Sequence, residues 1–115
     1  MLKKWITATL TVLLFSLGGS ALADDYPNRP VKIVVPFPPG GATDVAGRLV
    51  AERLQKAFGK PFVVENRSGA SGNIGVAEVV RSPADGYTLV VGAPQTLTIN
   101  PLLFKNIPFD PQKDL

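Results

Sequence analysis

The residues best suited to chemistry lie in two glycine-rich segments and in a short third segment of neutral polar residues. Glycine lets a ligand approach the backbone closely, and the unpaired N–H groups that open a helix bind anions without a cationic side chain. The pattern therefore predicts an anion site whose electrostatics suit a carboxylate. The candidate binding residues are Pro39, Gly40, Gly41, Ala42 and Thr43, then Ser68, Gly69, Ala70, Ser71 and Gly72, and finally Gln95 and Thr96.

Both glycine-rich segments also have a purely structural interpretation. Pro38–Gly41 between a strand and a helix makes a tight turn whether or not it binds anything, and composition alone favours that interpretation. Gly69–Gly75 serves equally well as a loop followed by a glycine for close helix packing. Its glycine spacing differs from the dinucleotide-binding pattern, and no Walker lysine follows either segment, so no nucleotide cofactor is predicted.

The charged residues nearby form no catalytic constellation. Asp44 is interpreted as a charge that stabilises the positive end of a helix. Arg67 could reach an anion, but an arginine at such a position more often pairs with a neighbour such as Glu65 or stays solvated. Asn66-Arg67-Ser68 has the form of a glycosylation acceptor, a triplet that is common by chance. The chain contains no His and no Cys, which excludes a Ser–His or Cys–His pair and a thiolate metal site. We therefore predict no enzymatic activity, no metal and no other cofactor.

Strand and helix patterns alternate along the chain. The order β-α-β-α-β predicts an α/β fold with a parallel sheet, and the three candidate segments then emerge at the carboxyl edge of that sheet, where ligands bind in open α/β folds. The predicted strands are Val31–Val35, Phe62–Glu65 and Tyr87–Val91, and the second helix is Asn73–Val80.

The first helix is predicted to follow Gly41 and to stop at Gly59 in a left-handed conformation. After the third strand, Gly92–Thr96 is predicted to be a loop, with one helical turn near Asn100–Lys105. The side chains of the first helix expected to face the core are Val45, Ala46, Leu49, Val50, Leu54, Ala57 and Phe58.

The first 23 residues are predicted to be a signal peptide. Two lysines precede an apolar run from Trp5 to Leu17, and small residues ending in Ala21-Leu22-Ala23 follow, so cleavage is expected after Ala23. The run is shorter than the ~20 residues that span a bilayer, so no membrane anchor remains after cleavage. The 115 residues bound the chain to at most one domain, and the scattered basic residues behind its net charge of +3 give no nucleic-acid signal.

Five motifs in order resemble the tripartite tricarboxylate transporter substrate-binding receptors, also called Bug receptors. They are distributed in order along the whole segment after the signal peptide. The second departs from the family's usual Pro-Gly-Ala-Gly-Gly by having Ser68 and Ser71, which bears on ligand identity. The motifs are YPNRP at 26–30 continuing into VKIVVPFPPGGATD at 31–44, VENRSGASGNIG at 64–75, SPADGYTL at 82–89, INPLLF at 99–104, and PFDP at 108–111.

The resemblance implies a monomeric periplasmic receptor of the periplasmic binding protein type II fold, in which two α/β domains close on a small carboxylate. Residues 24–115 are then the N-terminal part of domain one, truncated before the second domain. The loop after the first strand is the family's carboxylate-holding loop, and the partners are membrane subunits of a tripartite tricarboxylate transporter. The alternatives are a receptor that feeds a sensor, a periplasmic enzyme completed by further chain, and a truncated gene without function.

Overall fold

The computed structural model describes residues 25–115, which are built around a sheet of three parallel strands. Strands β1 (Val31–Val35), β2 (Phe62–Asn66) and β3 (Thr88–Val90) are arranged in the order β2-β1-β3, so the earliest strand lies in the middle. The predicted α/β class and the β-α-β-α-β order are confirmed. The predicted signal peptide lies outside the described residues.

β1 is central because its sequence has no polar face to offer to water. Val31, Ile33, Val34 and Val35 are almost completely buried, as expected for a parallel strand covered on both sides. Lys32 is the exception, and its side chain reaches acidic residues on neighbouring elements.

Two helices cover opposite faces of the sheet. Helix α1 (Ala42–Phe58) packs on the face that carries Ile33, and helix α2 (Asn73–Arg81) packs on the face that carries Val90. The first crossover leads from β1 to β2 on one side of it, and the second leads from β2 past β1 to β3 on the other side. Because the helices also lie on opposite faces, both crossovers have the same hand, as parallel sheets require.

The predicted core face of α1 is wrong except at Leu54, which packs against the core as predicted. Val45, Leu49, Val50 and Phe58 are 48–60% exposed in the described part of the chain. The helix instead packs through small residues, and a Cβ on Gly47 would lie 2.9 Å from Val35 Cγ2. Hydrophobicity favoured the larger side chains, whereas close approach of the helix backbone to β1 selects the small ones. The residues that face the sheet are Asp44, Gly47, Ala51 and, half-buried, Leu54.

The predicted loop Gly92–Thr96 is also wrong in its second half. A turn of wide, π-type helix covers Gln95–Ile99 and continues into the short helix α3 (Asn100–Leu103), where a single turn at Asn100–Lys105 was predicted. Thr96 stabilises the first turn of this segment, because its hydroxyl and its amide both donate to the Ala93 carbonyl, at 2.9 and 3.0 Å. Local side-chain bonding of this kind is invisible to hydrophobic periodicity.

The N-terminal residues pack against the amino end of β3. The Tyr26 hydroxyl donates to the Gly86 carbonyl at 2.5 Å, and the Arg29 guanidinium lies 3.9 Å from the centre of the Tyr87 ring. Arg29 also pairs with Asp85 at 2.9 Å. These contacts hold the start of the described chain at the edge of the sheet opposite to the three candidate loops.

Within residues 25–115, no helix combines the length and the apolar character needed to cross a bilayer.

Candidate functional site

The loop after β1 presents an open helix start. Gly40 adopts a φ of +90°, Gly41 is extended, and α1 begins at Ala42. The N–H groups of Gly41, Ala42 and Thr43 make no hydrogen bond to any residue that the structure describes. Pro39 to Ala42 are exposed and Thr43 is half-buried. Three amides at the positive end of a 17-residue helix therefore face solvent together.

Asp44 is buried beneath this loop, with only 3% of its surface exposed. Its carboxylate accepts hydrogen bonds from the Gly40 amide at 2.9 Å, the Arg48 Nε at 3.0 Å and the Asn66 carboxamide at 2.9 Å. The bond from Arg48, followed by those from Gly40 and Asn66, lowers the pKa of Asp44 from 3.8 to about 2. Asp44 is therefore charged at neutral pH, and Arg48 offsets that charge at the amino end of α1.

The loop after β2 is held by its own hydrogen bonds. Gly69, Ala70, Ser71 and Gly72 all have positive φ, which is uncommon for the two residues that carry a Cβ. The carbonyls of Gly69 and Ala70 accept bonds from the first amides of α2. The amino end of α2 is thus closed by its own loop, whereas that of α1 is open. Sequence patterns made the two helix starts look equivalent.

Asn100 joins the loop after β2 to the helical segment after β3. Its side-chain amide donates to the Ser71 carbonyl at 2.9 Å and to Asn73 Oδ1 at 2.7 Å, and all but 1% of its surface is buried. The third predicted segment therefore lies against the second. Of its two candidate binding residues, Gln95 is exposed, whereas Thr96 is fully buried with its hydroxyl turned toward Ala93.

The structure brings the candidate residues to one edge of the sheet, though to different depths. A Cβ on Gly72 would touch Thr96 and would lie 3.3 Å from the Pro36 carbonyl oxygen, so all three loops meet there. Gly72 and Thr96 form the floor of this contact. The candidate residues with exposed surface are Pro39, Gly40, Gly41, Ala42, Ser68, Gly69, Ala70, Ser71 and Gln95.

Arg67 is engaged elsewhere, as predicted. Its guanidinium pairs with Glu65 at 3.2 Å and with Glu78 of α2 at 3.1 Å. Lys32 donates to Glu78 at 2.9 Å, and this hydrogen bond is the main cause that lowers the pKa of Glu78. Arg67 and Lys32 are thus both paired with acidic side chains of β2 and α2.

Asn66 is the site-edge residue that sequence reasoning missed. It ends β2 opposite Val35, and its carboxamide donates to the Phe37 carbonyl at 3.1 Å as well as to Asp44. The sequence predicts that Asn66 begins the loop at the carboxyl edge and that it opens a glycosylation triplet, but not that its side chain binds Asp44. A signal was present, since a polar residue directly after a parallel strand points to the edge where loops meet.

The geometry defines a class of protein. β1 lies between β2 and β3, and the loops leaving β1 and β3 lead to elements on opposite faces of the sheet. The loop edge therefore coincides with the topological switch point, where open α/β sheets bind ligands. Exposed amides, hydroxyls and a carboxamide border that edge, and no charged side chain occurs in 36–43, 68–72 or 92–99. The class is an α/β ligand-binding domain with a neutral, donor-rich edge.

The chain belongs to the tripartite tricarboxylate transporter receptor family. The profile of this family, described as "Tripartite tricarboxylate transporter family receptor", matches residues 46–115. Protein BugT of Bordetella pertussis is 47% identical over 113 residues, a match that covers 96% of this chain and 35% of BugT. The chain therefore spans about a third of the length of this curated relative. The resemblance stated from the five motifs is confirmed.

Solved structures agree on the fold. A Rhodopseudomonas palustris protein, Rpa4515, solved with adipate, is 46% identical with a TM-score of 0.73, covering 76% of this chain and 29% of that one. MatC from the same organism, solved with bound malate, is 38% identical with a TM-score of 0.74, covering 77% of this chain and 30% of that one. The described residues thus share the fold of one part of each relative.

Proposed function

We propose that this chain forms the N-terminal part of domain one of a periplasmic receptor that captures a small carboxylate. The observation that carries the proposal is the open amino end of α1, where the amides of Gly41, Ala42 and Thr43 point to solvent without partners among the described residues. A carboxylate there would receive hydrogen bonds from backbone amides and from the positive end of the helix dipole. The related proteins solved with adipate and with malate support this ligand class.

The neutral border of the site fits such a ligand. Ser68 and Ser71 offer hydroxyls and Gln95 offers a carboxamide, all on exposed surface. Arg48 offsets the charge of Asp44, so the edge itself carries little net charge. Recognition then depends on oriented dipoles. The three loops line one side of a cleft, and we infer that a second domain supplies the other side.

The wider role follows from the family. We infer that the mature protein begins after Ala23, acts in the periplasm as a monomer, and delivers its carboxylate to the membrane subunits of a tripartite tricarboxylate transporter. The family consists of solute-binding receptors, and we infer no catalytic activity for this chain. A receptor that feeds a sensor would use the same binding site, and transport assays in cells that lack the membrane subunits separate the two roles.

A thermal-shift screen of the full-length mature protein tests the proposal. The panel contains adipate, malate, citrate, glutamate and benzoate, with phosphate and glucose as ligands of other classes. A ligand present at about 1,000 times its dissociation constant adds about 4 kcal/mol to the free energy of unfolding, which raises the melting temperature by several degrees. We expect a shift with carboxylates. A shift with glucose or phosphate alone would show that the α1 site was assigned to the wrong ligand class.

A further inference from the structure

The side chain of Asn66 uses all of its polar atoms on the loop after β1 and the start of α1. Both donor hydrogens of its Nδ2 are engaged, one by the Phe37 carbonyl at 3.1 Å and one by Asp44 Oδ1 at 2.9 Å. Its Oδ1 accepts from the Arg48 guanidinium at 3.2 Å. Only this orientation of the carboxamide satisfies all three partners. In the flipped orientation, Oδ1 would face the two acceptor oxygens of Phe37 and Asp44, and the Nδ2 donor would face the Arg48 guanidinium, which is also a donor.

The tip of this loop has few other attachments. A Cβ built on Gly40 meets nothing within 4 Å, and one on Gly41 meets only the Pro38 carbonyl oxygen, at 3.9 Å. Side-chain packing therefore does not fix the tip within the described residues. The Gly40 amide is instead bound by Asp44, and Asp44 is bound by Asn66. The tip is thus held by a relay of hydrogen bonds that starts at the end of β2.

We propose that Asn66 is a positioning residue, which through Asp44 and the Phe37 carbonyl sets the direction of the Gly41–Thr43 amides that receive the carboxylate. This inference rests on the proposed function. It assigns to Asn66 no contact with the ligand. It also explains why the second loop and the first act together, since the residue that ends β2 holds the conformation of the loop that follows β1.

Replacement by aspartate gives a specific test because the new carboxylate would face Asp44. From α1, the charged groups near position 66 are Asp44 and Arg48. Glu65 of β2 and Arg67 just after it pair with each other and with Lys32 and Glu78 instead. From the loop after β1, only the uncharged Phe37 carbonyl faces it. Two carboxylates at hydrogen-bonding distance share a proton at a raised pKa, so acid should restore the lost donor in Asn66→Asp.

The experiment compares wild type, Asn66→Asp and Asn28→Asp as full-length mature proteins. Asn28→Asp is the matched control, because it makes the same chemical change at an exposed position at the opposite edge of the sheet, where the side-chain oxygen that accepts a hydrogen bond from the Tyr87 hydroxyl is retained. Without ligand, amide hydrogen exchange is measured over the peptide containing residues 37–43. Affinity for adipate and for malate is then measured by calorimetry at several values between about pH 8 and about pH 4, a range that includes the raised pKa of a carboxylate pair.

In Asn66→Asp we expect faster hydrogen exchange over residues 37–43. Affinity for the carboxylate at about pH 8 should fall at least about tenfold, because Asp44 loses a hydrogen bond to its charged carboxylate. Most of that loss should be recovered toward about pH 4, whereas the control follows wild type at every value. Unchanged exchange and affinity would overturn the inference, as would a weaker affinity that does not respond to pH. If wild type bound no carboxylate, the proposed function would fail, and the exchange rates would still decide whether Asn66 holds the loop.

Discussion

Thr96 packs its side-chain methyl directly against Gly72, which joins the helical segment after β3 to the loop after β2. The same glycine faces the Pro36 carbonyl oxygen and the Phe37 ring, so the loop after β1 meets them at one backbone position. Gly72 has a φ of +91°, and Thr96 is fully buried. This contact fixes three loops relative to one another above a sheet of short strands.

Gly72→Ala is expected to destabilise the protein through both conformation and packing. The left-handed backbone costs an alanine about 1–2 kcal/mol, and crowding against Thr96 adds about 1–3 kcal/mol. Gly59→Ala is the matched control, because Gly59 has a φ of +67° with nothing within 4 Å of a Cβ. Urea unfolding of the full-length protein should show the larger loss for Gly72→Ala. Equal losses would mean that the contact with Thr96 contributes nothing.

Gly41→Val is expected to abolish carboxylate binding and leave the fold intact. Gly41 has a φ of −79°, and a Cβ there meets only one atom, at 3.9 Å, so the chain accommodates a side chain. A ligand that approaches the α1 amides would not tolerate it. Circular dichroism and melting temperature should match wild type while calorimetry shows no binding. Wild-type affinity in this variant would exclude the amino end of α1 as the site.

The pH dependence of stability should carry the signature of Asp44. Its pKa is lowered from 3.8 to about 2 in the folded protein, so its charged form stabilises the fold above 3.8, and this contribution is lost as pH falls toward 2. Asp44→Asn should therefore melt below wild type at neutral pH, and the difference should shrink across that window. The lowered pKa values of Glu52 and Glu78 affect both proteins alike. A difference that persists undiminished in acid would contradict this account.

Gly47→Ala is expected to lower stability, although the same change ordinarily stabilises a helix by about 1 kcal/mol. A Cβ at position 47 would lie 2.9 Å from Val35 Cγ2 and 3.3 Å from Val91 Cγ2, so α1 would have to move away from the sheet. We expect a net loss of about 1–2 kcal/mol, since overpacking outweighs helix propensity. A raised melting temperature would show that α1 packs more loosely than the structure indicates.

The strands and the ends of the helices could be predicted because local sequence determines them. Val31–Val35 is apolar on both faces, and Gly59 takes the left-handed conformation predicted for the end of α1. The phase of α1 could not be predicted in the same way. Hydrophobicity alone counts Leu49 and Val50 as core, whereas Gly47 faces β1 only because the helix backbone comes close to Val35.

The candidate site, too, could be predicted only in part. The loops could be assigned to one edge because parallel strands end together, and the structure places them there. The depth of each residue could not be predicted, because Thr96 is buried by local bonds to Ala93 and by contact with Gly72. Asn66 was missed for a related reason. Its role depends on Asp44 and Phe37, which are distant in sequence and adjacent only after folding.

The cluster formed by Tyr26, Arg29, Asp85 and Tyr87 has a practical consequence for sensing. It holds the start of the described chain at the amino ends of the strands, and five residues of β1 separate that edge from the ligand loops by roughly 16 Å. A fluorophore, an affinity handle or a chip linker joined just ahead of Tyr26 would thus be oriented away from the entry side. Under the proposed function, an immobilised detector of organic acids could be attached there without obstructing the entry of the acid.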